Sequence, residues 1–141
     1  MGDEKNRATI ERARELLTGG DMSALSRGMD EFASEDMVQE WPQSGERIRG
    51  LANIKKLTEG YGDATGTSPK MTFRRLIGGG DVYVIEGTID YGDGTPVSYV
   101  GVAELGDGKV LKMTEYFANP FEAPAWRADL VERMDKVPAG A

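Results

Sequence analysis

Between residues 71 and 117 the chain is cut into four strand-like runs by three glycine-rich turns, and this punctuation limits the fold more than any other feature. The runs are Met71 to Ile77, Val82 to Tyr91, Val97 to Leu105 and Val110 to Phe117, rich in β-branched and aromatic residues. Gly78-Gly79-Gly80-Asp81, Gly92-Asp93-Gly94 and Gly106-Asp107-Gly108 separate them. Glycine and aspartate accept the left-handed backbone that tight hairpins need, so consecutive runs are expected to pair as an antiparallel meander.

The first half reads differently. Ile10, Ala13 and Leu17 recur at helical spacing, with Leu16 widening the stripe. Gly19-Gly20 is expected to stop that helix and Asp21 to cap the next, whose stripe is Met22, Leu25, Met29 and Phe32. Asp36 to Trp41 alternates as a strand, with Met37, Gln39 and Trp41 on one face, and Pro42 ends it. Pro42-Gln43-Ser44-Gly45 is a turn cluster. A third helix follows Gly50, with Leu51, Ile54, Leu57 and Tyr61 as its apolar stripe and Gly60, Gly62 and Gly66 as its breakers. The tail holds Pro120, Pro124 and Pro138 around a short helix expected from Ala125 to Met134. Helices followed by a meander predict an α+β domain whose strands curl around the helices and leave an apolar cone.

Composition narrows the chemistry. The 141 residues make one domain's length, with nothing marking a linker or repeat. A net charge of −7 repels phosphate backbones, so no nucleic-acid partner is expected. The chain lacks both cysteine and histidine, so thiolate catalysis and Cys or His metal sites are excluded, and no carboxylate loop has metal-binding spacing. The glycine turns join strands and carry no Lys-Ser/Thr, so they make no phosphate loop. No cofactor is expected, and acid–base work would fall to carboxylates, tyrosine, lysine or arginine. The charged start Met1-Gly2-Asp3-Glu4-Lys5 predicts no signal peptide, and no run has the length of a membrane span, so a cytoplasmic location is expected.

The order of elements carries a resemblance. Gly20-Asp21, the strand Asp36-Met37-Val38-Gln39-Glu40-Trp41-Pro42, Gly45-Glu46-Arg47-Ile48-Arg49-Gly50 before the third helix, and Asp107-Gly108-Lys109-Val110 leading to Glu115-Tyr116-Phe117 resemble the nuclear transport factor 2-like superfamily. More narrowly they resemble its SnoaL-like branch of polyketide cyclases and ketosteroid-isomerase-related proteins. The likeness covers a core of about residues 8–118, and residues 119–141 form the tail of the same single domain. The resemblance implies a cone-shaped curved antiparallel sheet wrapped around three N-terminal helices, a cystatin-like α+β barrel, with a deep pocket and a homodimer packed through the outer sheet face. It does not imply one activity, because the fold hosts isomerases, cyclases, dehydratases, epoxide hydrolases and binding modules. Trp41, Ala13 and Gly101 stand where ketosteroid isomerase has its aspartate base, oxyanion tyrosine and oxyanion aspartate, which disfavours steroid isomerisation by that route. The Arg and paired-Asp constellation of limonene epoxide hydrolase finds no counterpart.

Alternation then nominates site residues. Leu111, Met113, Glu115 and Phe117 share one face of the last strand, and the family register points Met113 inward. Glu115 would be a carboxylate among Met113, Phe117 and Trp41, suited to proton transfer; otherwise it pairs with an arginine or sits at the rim. Gln39 would bond a ligand carbonyl or hold Glu115, and Trp41 would form an aromatic wall or core. Tyr83 and Ile85 lie on the more apolar face of their strand as ligand contacts, and Tyr99 is the preferred donor to a developing oxyanion. Arg75 shares a face with Met71, Phe73 and Ile77 and would pair with Glu115 if inward. Arg47 and Arg49 would hold an anionic group or form surface ion pairs with Glu46. Three readings follow: a cofactor-independent isomerase, cyclase or lyase for a small apolar carbonyl compound; a binding or carrier module for a lipophilic ligand; or a structural dimer whose cavity is plugged by Trp126 or Phe121.

Overall fold

The computed structural model describes residues 2–17, 22–67 and 69–134. Helices α1 (Gly2–Leu17) and α2 (Met22–Phe32) lead into a hairpin of β1 (Ala33–Trp41) and β2 (Glu46–Arg49). Helix α3 (Leu51–Thr65) crosses to the far side, where β3 (Lys70–Gly79), β4 (Val82–Asp90), β5 (Val97–Gly106) and β6 (Lys109–Ala118) return as a meander. The sheet order is β2-β1-β6-β5-β4-β3, and every pairing is antiparallel except β1 with β6. The expected α+β cone is present, as a mixed and unclosed sheet rather than a wholly antiparallel one. Its parallel pair arises because the meander ends beside β1 running in the same direction. Among the described residues no helix is long and apolar enough to cross a membrane.

Several local expectations change. Strand β2 falls in a segment read only as a lead-in to the third helix; its pairing with β1, Trp41 opposite Glu46 and Val38 opposite Arg49, draws it into the sheet. Helix α3 runs through Gly60 and Gly62 and ends only at Gly66, whose left-handed φ of 73° lets its N–H reach the Gly62 carbonyl at 2.8 Å. The tail helix expected to Met134 shrinks to one 3-10 turn, Ala125–Arg127. Gly19, Gly20, Asp21 and Pro138, and the side chains of Leu17, Met22 and Leu25, lie outside the described residues.

Bulges bend the sheet and redirect side chains. On β6, Glu104 opposes Lys112 and Leu105 opposes Val110, which leaves Leu111 as an extra residue. Val110 therefore turns into the core, while Leu111, expected inward, is 46% exposed. On β3, Phe73 opposes Gly87 and Arg75 opposes Glu86, so Arg74 is the extra residue. Arg75 and Ile77 consequently face outward, and Leu76 takes the inward place. A third irregularity lies in β1 between Ala33 and Val38.

The core packs Ile10, Met29, Phe32, Ile54, Phe73, Ile85 and Leu105 between helices and concave face. Helix α1 is tied to the narrow end by buried Asn6, which donates to the Gly80 carbonyl at 3.0 Å and accepts from the Gly108 N–H at 2.8 Å. Thr9 adds a bond to the Gly108 carbonyl at 2.6 Å, and exposed Lys5 pairs with Asp107. Asn6→Ala leaves two backbone groups without partners and should cost about 1–3 kcal/mol in urea unfolding, whereas Lys5→Ala should cost less than about 1 kcal/mol.

Candidate functional site

The concave face of the sheet and the three helices enclose a cavity of about 610 Å³. Ile10, Ala13, Met29, Phe32, Met37, Met71, Ile85, Ile89, Val110 and Met113 make its apolar wall. Aromatic surface comes from Trp41, Tyr61, Tyr91, Tyr99 and Phe117. Exposed Gln43, Ser44 and Glu46, from the β1–β2 hairpin, also contribute to the lining.

Strand register explains why Glu115 becomes the polar centre. Gln39 on β1 lies opposite Met113, so Glu115, the next inward residue of β6, falls between Gln39 and Trp41. Gln39 Nε2 donates to Glu115 Oε1 at 2.8 Å, and Trp41 Nε1 donates to the same oxygen at 2.9 Å. On the other side Gly101 lies directly opposite Glu115 and Tyr99 lies opposite Phe117. The Tyr99 ring packs against Phe117 at a centroid distance of 5.4 Å and crosses over Gly101, and its hydroxyl donates to Glu115 Oε2. A Cβ at position 101 would stand 2.5 Å from that hydroxyl and 3.0 Å from Met113 Cε. The missing side chain at Gly101, read in the sequence as a lost catalytic group, is what lets Tyr99 reach the carboxylate.

The electrostatics follow from the donors. Burial raises the Glu115 pKa above the usual carboxylate range, and the bonds from Tyr99, Trp41 and Gln39 pull against that rise. The residue keeps some surface exposure because it faces the cavity rather than packed atoms, yet it sits deep inside the fold. Oε1 accepts two donors, so a proton arriving at this carboxylate goes to Oε2, where only Tyr99 competes. Tyr99 itself is held neutral, its pKa pushed well up by burial and by the negative Glu115. Tyr91 is raised by burial and then by its neighbours Tyr61 and Glu115.

Glu115, Tyr99, Gln39, Trp41, Ile85, Met113 and Phe117 thus meet around one cavity. Tyr83, expected as a ligand contact, is 1% exposed and lies outside the lining, with Arg7 stacked 5.9 Å from its ring. Arg75 does not meet Glu115; the β3 bulge turns it outward to pair with Glu86. Arg47 pairs with Glu40 rather than Glu46, and Lys112 joins at 2.8 Å, which holds the Glu40 carboxyl below its usual range. The expected plug is absent from the described tail: Phe121 is 81% and Trp126 78% exposed. Sequence reading missed Tyr61 as a cavity residue, although its place in the α3 stripe was the available signal. Among the described residues no cluster of three or more metal-ligating side chains occurs.

Tyr99→Phe removes one of three donors and should push the Glu115 pKa higher still, visible as an upward-shifted midpoint in carboxyl carbon NMR titration. Gly101→Ala should shift it in the same direction by displacing the phenol.

Comparison with known proteins agrees with this architecture. The SnoaL-like domain family matches residues 10–113, a span that includes Gln39, Trp41 and Tyr99 and stops two residues before Glu115. An NTF-2 like protein of unknown function from Burkholderia xenovorans is 32% identical, with 94% of this chain and 97% of that one covered and a TM-score of 0.73. A proposed ketosteroid isomerase from Kribbella flavida is 26% identical over 95% of this chain and 93% of its own, with a TM-score of 0.77. An epoxide hydrolase of the LEH-like type from M. tuberculosis shares the fold at 23% identity, covering 75% of this chain and 80% of that one, with a TM-score of 0.57. No curated protein matches the chain. With its helices, curved sheet and matched span together, the chain belongs to the SnoaL-like domain family within the nuclear transport factor 2-like fold.

Proposed function

We propose that the chain is a cofactor-independent isomerase, cyclase or lyase acting on a small apolar carbonyl compound, with Glu115 moving the proton. The supporting observation is a buried carboxylate, held by three neutral donors, in the lining of a largely apolar cavity. Glu115 Oε2 would take a proton from the carbon next to the carbonyl, and the C–H electron pair would pass into an enolate. Once Oε2 carries that proton, Tyr99 is released from the carboxylate; its oxygen accepts from the new carboxylic acid and its O–H turns to the substrate oxyanion. Return of the proton to another carbon gives an isomer, and loss of a group from the enolate gives elimination. Trp41, Met113 and Phe117 shape the space around the reacting carbon.

A binding or carrier module has one observation in its favour. The Tyr99 hydroxyl is already committed to Glu115, and no buried side-chain polar atom among the described residues lacks a partner. Glu115→Gln separates the two readings, because its amide keeps an acceptor for Trp41 and Gln39 and offers an N–H to the Tyr99 oxygen. An enzyme should lose about 10²–10⁴-fold in turnover while ligand affinity, read by Trp41 fluorescence in a Trp126→Phe background, stays unchanged. Unchanged turnover would remove Glu115 from the mechanism. The rate of the wild type should rise with pH through the raised Glu115 pKa and level off above it, since only the carboxylate accepts the proton.

We also propose a homodimer through the outer sheet face. Val84 lies opposite Val102, and Val100 opposite Tyr116, so these residues form a contiguous, partly exposed apolar patch beside Ile77 and Val82. Sedimentation equilibrium should give twice the chain mass for the wild type and a monomer for Val100→Asp. A wild type that stays monomeric at high concentration sinks this assignment.

A further inference from the structure

Several carboxylates on the outside of this molecule are matched with cations: Glu40 with Arg47 and Lys112, Glu86 with Arg75, Asp30 with Lys55 and Glu31 with Arg12. Glu115 is the reverse case. It is deeply placed, yet it meets only neutral donors, and among the described residues no lysine or arginine lines its cavity. An ionised carboxylate out of water without a counter-charge is costly, and that cost is relieved by a proton or by a cation. The proposed reaction uses the proton. The second lone pair of Oε2 and the aromatic side chains of Trp41, Tyr61, Tyr91 and Phe117 in the lining of the same cavity suit the other solution. Glu46 in the lining and the net charge of −7 draw cations toward the opening and repel anions. The remaining wall of Met, Ile and Val side chains requires the rest of the ligand to be apolar.

We infer that the cavity is a receptor for an apolar amine in its protonated form, with the ammonium seated against Glu115 Oε2. This goes beyond the proposed reaction: it needs the same open cavity but no proton transfer by Glu115. Such an amine would also block that transfer by occupying the accepting oxygen.

Three probes of one shape test it by calorimetry: 2-naphthylmethylammonium, 2-naphthylmethanol and 2-naphthoate. On the alkaline side of the raised Glu115 pKa, with the amine still protonated, the ammonium should bind about tenfold or more tightly than the alcohol, and the carboxylate more weakly than either. As the pH is lowered through that raised pKa, the ammonium's advantage should shrink because Glu115 gains its proton. Gln39 and Trp41 from β1 and Tyr99 from β5 bond Glu115, Tyr91 after β4 interacts with it electrostatically, and Tyr61 from α3 and Glu46 line the same cavity. Tyr91 and Tyr99 are pushed upward and stay neutral over this range. Glu46 is a second carboxylate in the lining, so Glu46→Gln serves as the control and should keep most of the preference. Glu115→Gln should reduce the ammonium to the affinity of the alcohol and leave the alcohol unchanged. Equal binding of ammonium and alcohol to the wild type, or a preference that survives in Glu115→Gln, overturns the inference. The wild-type pH series decides alone if that variant does not fold. Alcohol binding without an ammonium preference defeats only this inference, whereas failure of all three probes to bind defeats the reaction as well.

Discussion

The Glu115 carboxylate and its three donors are the interaction on which the rest of the site depends. Four residues from three strands are brought within hydrogen-bonding reach, and the geometry is fixed by backbone register rather than by flexible side chains. The donors are neutral, so they orient the carboxylate without supplying a counter-charge. That leaves burial as the leading influence on its pKa, and the carboxylate in the lining of the cavity. A lysine or arginine in place of any donor would make an ion pair instead, and the cavity would hold a structural charge with no chemistry to offer.

Curvature makes the cavity possible. A flat six-stranded sheet would press its inner face against the helices and close the space. Irregularities in β1, β3 and β6 add local bend and twist, so helices and sheet meet at the narrow end, where Asn6 bridges two hairpin turns, and stand apart elsewhere. The same bulges reassign side chains. Arg75 leaves the inner face, which removes the cation nearest in expectation to Glu115, and Val110 replaces Leu111 in the wall. The electrostatic character of the cavity thus rests on one extra residue in β3.

Gly101 shows how a position can be read in opposite ways. Compared with ketosteroid isomerase it looks like a deletion of function. In three dimensions it is the gap through which Tyr99 reaches across the strand. Where those ketosteroid-isomerase groups are missing, the cavity instead holds a tyrosine on β5 hydrogen-bonded to a carboxylate on β6.

Much of this was legible in one dimension. Period-two alternation grouped Gln39 with Trp41, and Met113 with Glu115 and Phe117, because a regular strand sends every second side chain to the same side, and the family register said that the Met113 face points inward. Helical spacing found buried Ile10 and Ala13 of α1 and Met29 and Phe32 of α2, and glycine turns found the four-strand meander. Alternation failed where the regularity it assumes was broken: at Leu111, at Arg75 and Ile77, and in β2, whose four residues carry little pattern without a partner strand. Tyr83 was correctly assigned to the inner face, but its distance from the cavity depends on where helix α1 closes the cone. Local side-chain periodicity, set by backbone geometry within a few residues, was therefore determined by the sequence alone. Which strands lie side by side, where bulges shift the phase, and that the deepest acid meets donors instead of a cation were decided by the tertiary structure, because those outcomes depend on contacts between residues some 75 positions apart in the chain.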